Sequence, residues 1–195
     1  MSLRLETLRG AALLRHLPSL GRLRGAVFRE WPYLYQADDA YEAAYLRKYA
    51  EGEGAAVVVA LDGEAAVGAA TCQPMLQADA PVREAFAAAG RDPAAHCYFG
   101  ESVLLPEYRG QGIGVVFLAA REAVARAAGL ATAAFCAVER PADDPRRPPG
   151  HVPLDGFWRK RGYAHHPELA CTFRWREIGG TESVPHRLSF WLKHL

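Results

Sequence analysis

Apolar and polar positions alternate over residues 2–7, which predicts a first strand. The period then changes. Leu13, Leu14, Leu17, Leu20, Leu23, Val27 and Phe28 recur at helical spacing through residues 11–30, with Pro18 and Gly21 expected to break the stretch into two helices. Asp38 and Asp39 open another helix, with Asp39 and Glu42 spaced as a capping box and Tyr41, Tyr45, Leu46 and Tyr49 on its apolar face. Two apolar runs, Ala55–Leu61 and Ala65–Cys72, flank Asp62-Gly63 and read as a hairpin. A short helix over 82–89 ends at Gly90.

The apolar run His96–Leu105, closed by Pro106, predicts a central strand. A helix follows over Gln111–Ala128, with Ile113, Phe117, Ala120, Val124 and Ala127 on one face and Gly129 as its stop. Ala131–Val138 reads as a buried strand and residues 141–150 as a proline- and charge-rich loop. A short helix over 153–161 and the strands Tyr163–Trp175 and Leu188–Leu192 close the chain. This order predicts an α/β fold of mixed α+β type, with helices packed on a mixed sheet. With no repeat and no composition break, residues 1–195 are expected to form a single domain. The terminal strand, alternating Leu188, Phe190 and Leu192 with Ser189, Trp191 and Lys193, suggests pairing with a second subunit and a possible homodimer.

Charge and composition narrow the function. Lysine plus arginine number 23 against 22 acidic residues, and no block of like charge suggests nucleic acid or a membrane surface as a partner. No apolar run reaches the roughly 18–20 residues of a membrane span. The start MSLRLETLRG lacks the order of a signal peptide, so a cytoplasmic location is expected. Cys72, Cys97, Cys136 and Cys171 lie far apart in strand-like stretches and read as buried thiols. The histidines show no metal-ligand spacing, and no metal is expected.

The chemistry concentrates where the strand ending at Leu105 meets the helix starting near Gln111, through Pro106-Glu107-Tyr108-Arg109-Gly110-Gln111-Gly112-Ile113-Gly114. A helix start presents backbone N–H groups without intrahelical partners, and glycines remove side chains that would hold a phosphate away. Neither the P-loop pattern nor G-x-G-x-x-G is met, because Val115 stands where each requires a glycine. The pattern met is R-x-x-G-x-G, at Arg109, Gly112 and Gly114.

With V-L-L-P-E-Y-R-G-Q-G-I-G (103–114), the amphipathic helix after it and F-W-R-K-R-G-Y (157–163), the chain resembles the GNAT superfamily of acyl-CoA-dependent N-acetyltransferases over about residues 55–175. The resemblance implies a mostly antiparallel central sheet, splayed between its two middle strands, with helices on both faces. It implies acetyl-CoA as co-substrate and a small-molecule or peptide amine as acceptor. Backbone amides from Gln111 through Gly112, Ile113 and Gly114 to Val115 would hold the pyrophosphate, with Gly110 in the same loop and Arg109 beside it. The edge at Val103, Leu104 and Leu105 would pair with the pantetheine arm where the neighbouring strand Ala131–Val138 splays away. Arg159, Lys160 or Arg161 would meet the 3′-phosphate.

Amine attack on a thioester needs a base, because a lysine-like amine with a pKa of about 10.4 is mostly protonated at neutral pH. Glu101, an acid inside an apolar strand, is the candidate base; strands at this place in the family often carry a bulge that changes side-chain parity, and Tyr98 is the alternative on the other register. The family finds its oxyanion donor in a backbone N–H of the central strand, so the resemblance implies the Leu104 N–H here. Where the family often has a tyrosine after the phenylalanine of the second motif, this chain has Trp158, which supplies no proton. That departure keeps open a second reading, a CoA-binding or interaction module without turnover; a nucleotide-binding oxidoreductase would have to tolerate the failed glycine spacing. Family members shape the acceptor pocket with their first helices and the loop between them, so the resemblance places it at residues 28–42, where Trp31, Tyr33, Tyr35 and Tyr41 suggest an aromatic wall. Asp38, Asp39 and Glu42 would attract a cation, while Arg146, Arg147 and His151 would attract a carboxylate.

Overall fold

The computed structural model describes residues 3–195. Its elements are β1 (Leu3–Leu8), α1 (Ala11–Leu14), α2 (Leu17–Phe28), α3 (Asp39–Glu51), β2 (Ala56–Asp62), β3 (Ala65–Pro74), α4 (Ala80–Ala88), β4 (His96–Tyr98), β5 (Ser102–Leu104), α5 (Ile113–Ala127), β6 (Thr132–Val138), α6 (Asp155–Arg159), β7 (Ala164–Arg176) and β8 (Ser183–His194). All strands join one sheet of order β1-β2-β3-β4-β6-β8-β7, with β5 also on β3. Every pairing is antiparallel except β4 with β6. The result is a mixed, mostly antiparallel sheet with helices on both faces.

One face carries α1–α3, packing Leu13, Leu20 and Leu46 on Val57, Val59 and Val103. It also carries α4, packing Val82 and Phe86 on Tyr98, Leu188 and Phe190. The other face carries α5, with Ile113 and Phe117 against Val58 and Ala70, and α6 beside it. The valine- and alanine-rich β2 and β3 are buried throughout most of their lengths because helices cover both sides.

Four expectations change. Pro18 sits in the first turn of α2, where its missing N–H costs nothing, and the break falls at Arg15-His16; Gly21 lies inside the helix. The cap of α3 is Asp38, whose carboxylate accepts the Tyr41 N–H at 2.8 Å; Glu42 takes no part and is buried. β8 is longer than expected and lies inside the sheet between β6 and β7, so both its edges are occupied and the ground for a homodimer through it is removed. Finally, the run His96–Leu105 is not one strand.

Its interruption is a bulge at Phe99-Gly100-Glu101. Tyr98 packs toward α4, Phe99 toward α5, and Glu101 returns to the face of Tyr98. Strict alternation would have put Glu101 with Phe99. The bulge therefore brings Tyr98 and Glu101, expected on opposite registers, to one face. Gly100 makes this possible. A Cβ there would collide with the Tyr49 hydroxyl and stand 2.7 Å from Thr71 Oγ1. Gly100→Ala is expected to lower stability by about 1–3 kcal/mol, the usual cost of overpacking, as read by urea unfolding; an unchanged midpoint would show that the tyrosines yield freely.

Candidate functional site

The sheet opens where the bulge ends. β4 pairs with β6 only over His96–Tyr98, and the last bond across the seam is Phe99 N–H to the Ala134 carbonyl, 2.8 Å. Beyond it β6 runs on to Val138 paired only to β8, while β5 stays on β3. Within β5 the groups on the β3 side are engaged: Val103 faces Ala69, the Leu105 N–H reaches the Val67 carbonyl at 3.0 Å, and the Glu101 carbonyl accepts the Thr71 N–H at 3.0 Å. By the alternation of an antiparallel ladder, the N–H groups of Ser102 and Leu104 face the open side. The splay expected between Ala131–Val138 and the central strand is thus present, and Leu104 N–H points into it. Val103 and Leu105 flank it with side chains packed toward α1–α3.

Pro106–Tyr108 then form a 3-10 turn, and Gly110 and Gly112 take left-handed φ values of +77° and +82°. A side chain is disfavoured in that region, so the loop depends on glycine at these points. Gly112 caps α5. Among the described residues, the N–H groups of Gly110, Gln111, Gly112, Ile113 and Gly114 find no acceptor within the chain, whereas Val115 N–H already bonds the Gly112 carbonyl at 2.9 Å. The free run is therefore shifted one residue back from the expected Gln111–Val115. Five unpaired donors at the positive end of a 15-residue helix form an anion cradle.

Arg109 is oriented differently from expectation. Its Nε donates to the Leu104 carbonyl at 3.0 Å and Nη2 pairs with Glu30 at 2.9 Å, so the guanidinium lies along the β5 edge. The pair is half-exposed, a class worth about 0–1 kcal/mol, and competes weakly against a phosphate. Gly114 has a second role: a Cβ there would stand 3.3 Å from Phe157, which seats α6 against the start of α5. Beside Phe157, a groove of about 410 Å³ is lined by Val152, Leu154, Phe157, Lys160 and Arg161. Arg159 instead lies 5.3 Å from the Trp191 ring. Trp158, half-buried, packs edge-on to Phe135 at 5.1 Å and against Trp191 at 5.0 Å, so the indole rests on the core. Tyr163 is buried, with its hydroxyl bonded to Glu122 at 3.0 Å.

On the α1–α3 side of the opening lies a buried ionic cluster that local sequence patterns do not announce. Glu101, 8 % exposed, receives Arg24 Nε on Oε2 at 2.7 Å. Arg24 Nη1 meets Glu42, 2 % exposed, whose other oxygen accepts the Tyr35 hydroxyl at 2.8 Å. The guanidinium lies 4.0 Å from the Tyr45 ring centre. Burial pushes the Glu101 carboxyl up to about 7, outweighing Arg24, which acts to lower it. Tyr45 lies close enough to act on the same carboxyl, although no hydrogen bond of ordinary geometry joins them. On the α5 side, buried Arg121 braces the bulge, donating to the Glu101 carbonyl at 3.1 Å and to Ser102 Oγ at 2.8 Å. Tyr98 turns its hydroxyl to Cys136 Sγ at 3.3 Å, and burial holds it well above the ordinary tyrosine range.

The segment carrying Trp31, Tyr33 and Tyr35 is clamped to the sheet. Arg140 donates to the Pro32 and Tyr33 carbonyls at 2.7 and 3.0 Å, and Trp175 Nε1 to the Tyr33 carbonyl at 3.0 Å. Tyr33 and Tyr35 are near the cluster: Tyr33 is in electrostatic reach of Glu101 and Cys136, and Tyr35 bonds Glu42. Trp31 sits farther along, edge-on to His151 at 6.2 Å. Arg146 is engaged with Asp144 and Glu177. Among the described residues, no group of three or more His, Cys, Asp or Glu is placed to hold a metal, and no helix is long and apolar enough to cross a membrane.

A family model described as the acetyltransferase (GNAT) family matches residues 21–148. No curated protein sequence matches the chain. Solved structures share the fold at low identity. The paiA N-acetyltransferase of Thermoplasma acidophilum, in complex with coenzyme A, is 13% identical, with both chains covered in full and a TM-score of 0.57. A ribosomal-protein-alanine N-acetyltransferase of Brucella melitensis is 17% identical, again with full coverage of both chains and a TM-score of 0.62. The yncA protein of Salmonella typhimurium, with its cofactor acetyl-CoA, is 12% identical over 100% of this chain and 95% of its own, at a TM-score of 0.61.

Proposed function

Because the chain belongs to the GNAT acetyltransferase family, whose members in general carry out acyl-CoA-dependent acetyl transfer, we propose that it moves an acetyl group from acetyl-CoA to a primary amine by direct attack in a ternary complex. The observation that carries this reading is the continuity of the five free amides at Gly110–Gly114 with the open β5 edge. An anion cradle and an unpaired strand edge, end to end, suit a ligand with a pyrophosphate at one end and an amide-bearing arm behind it.

The roles then follow the geometry. Gly110, Gln111, Gly112, Ile113 and Gly114 hold the pyrophosphate, with Val115, whose N–H is already bonded to the Gly112 carbonyl, in the first turn of the helix behind them. Arg109 exchanges its exposed pair with Glu30 for phosphate. The edge at Val103–Leu105 takes the arm, and Lys160 and Arg161 in the groove beside Phe157 meet the 3′-phosphate. At the reacting end the amine nitrogen bonds to the thioester carbonyl carbon while Glu101 takes the amine proton. Leu104 N–H donates to the carbonyl oxygen as negative charge develops there. The carbon–sulfur bond then breaks, and CoA leaves as thiolate without help from Trp158, whose indole is packed away. Tyr98 stays protonated and is a hydroxyl donor, not the base. Tyr33 and Tyr35 line the acceptor side, with Trp31 at its outer end. One continuous sheet supports reading residues 1–195 as a single domain.

The test is release of CoA thiol from acetyl-CoA on addition of each member of a panel of polyamines, amino acids and N-terminal peptides, with mass spectrometry of the product. Amine-dependent thiol release with an acetylated amine supports the reading. Bound acetyl-CoA with no release across the panel favours a CoA-binding module without turnover.

A further inference from the structure

We propose that Arg24 and Glu42 are positioning residues for Glu101: one guanidinium shared between two buried carboxylates leaves a single oxygen, Glu101 Oε1, free to take the acceptor's proton. The inference rests on reading Glu101 as the base. Three of the four carboxylate oxygens are engaged. Glu42 Oε1 accepts the Tyr35 hydroxyl at 2.8 Å, Glu42 Oε2 meets Arg24 Nη1, and Glu101 Oε2 accepts Arg24 Nε at 2.7 Å. Glu101 Oε1 is buried and has no partner.

An arginine facing one carboxylate tends to form a two-pronged pair that occupies both oxygens. Here Glu42 draws one prong away, so Glu101 is held by one oxygen and the other is left without a donor of ordinary geometry, with Tyr45 acting on the same carboxyl. The guanidinium cannot drift, because it lies 4.0 Å from the Tyr45 ring centre and 5.3 Å from that of Phe28. Replacing buried ionic clusters by apolar groups is often neutral or stabilising. A cluster with two acids, one base and one orphan oxygen is therefore poorly explained as a stability device.

The charged and titratable groups in reach of Glu101 are Arg24 from α2, Tyr41, Glu42, Tyr45 and Tyr49 from α3, Arg121 from α5, and Tyr33 from the clamped segment. Among them Glu42 is the acidic one, and it acts to raise the Glu101 carboxyl while Arg24 acts to lower it. Glu42→Gln removes that repulsion and, because a neutral amide oxygen holds a guanidinium less strongly than a carboxylate does, loosens Arg24 toward Glu101. Both effects act in the same direction.

The experiment is carbon-13 NMR titration of the full-length protein labelled at glutamate carboxyls, with Glu101→Gln assigning the resonance. The wild-type Glu101 signal is expected to titrate well above the ordinary glutamate value. In Glu42→Gln its midpoint should fall by about one pH unit or more, the scale of a neighbouring charge. For an amine substrate, the pH profile of kcat/KM should move by the same amount, with acetyl-CoA affinity unchanged. A wild-type signal at the ordinary value, or an unmoved midpoint in the folded variant, overturns the proposal. So does a moved midpoint with an unmoved rate profile. The titration needs no substrate, so its result is separate from the fate of the base reading, which a fully active Glu101→Gln enzyme would end.

Discussion

Glu101→Gln should lower kcat/KM for amine acetylation by about 10²–10⁴-fold, the usual contribution of a positioned base, while acetyl-CoA binding stays as in wild type. The substitution keeps shape and Arg24 contact but removes the proton acceptor. In the wild type the rate should rise with pH through about 7, as burial of Glu101 sets, and then level off for as long as the amine's own ionisation permits. Stability should move the other way. From the ordinary value of 4.5 up to about 7, the folded state keeps a proton that the unfolded chain gives up, so this residue's contribution to stability falls as pH rises across that window. Glu101→Gln should remove this slope from the pH dependence of the unfolding midpoint. Full activity in the variant, or a loss confined to acetyl-CoA binding, would place the base elsewhere.

Gly112→Glu should weaken acetyl-CoA binding by about 100-fold or more, equivalent to roughly 3 kcal/mol. The new carboxylate stands among the amides that would otherwise hold phosphate and repels it, while the cost of an L-residue at φ +82°, about 1–2 kcal/mol, falls on the stability of the fold. No heavy atom beyond the neighbouring residues lies within 4 Å of a Cβ at this position, so the fold should survive and the loss should be specific to the anion. A variant that binds acetyl-CoA as tightly as wild type would return the loop to the role of a structural turn.

The same glycine loop shows what the sequence made legible. Gly110 and Gly112 announce left-handed backbone, the proline before them closes a strand, and the apolar period after them starts a helix; all three signals are local. The family resemblance drew on that stretch together with F-W-R-K-R-G-Y (157–163), and the splayed sheet was what the resemblance implied. A bulge in this strand was an open expectation, but its place was not legible, because Tyr98-Phe99-Gly100-Glu101 continues an apolar run and the demand on Gly100 comes from Tyr45, Tyr49 and Thr71, remote in the chain. Glu42 was misread because its spacing from Asp39 imitates a cap. Its actual partner, Arg24, lies on another helix. The place of β8 inside the sheet depends on pairings with β6 and β7 that no period along one segment encodes. Arg24 and Arg121 carried one faint signal, an arginine inside an otherwise apolar helical pattern.

Isothermal calorimetry of the wild-type protein with acetyl-CoA, and with NAD as control, tests the central claim most directly. The arrangement of the five free amides and the open β5 edge predicts micromolar binding of acetyl-CoA and none of NAD. A well-folded protein that takes up no acetyl-CoA would contradict it.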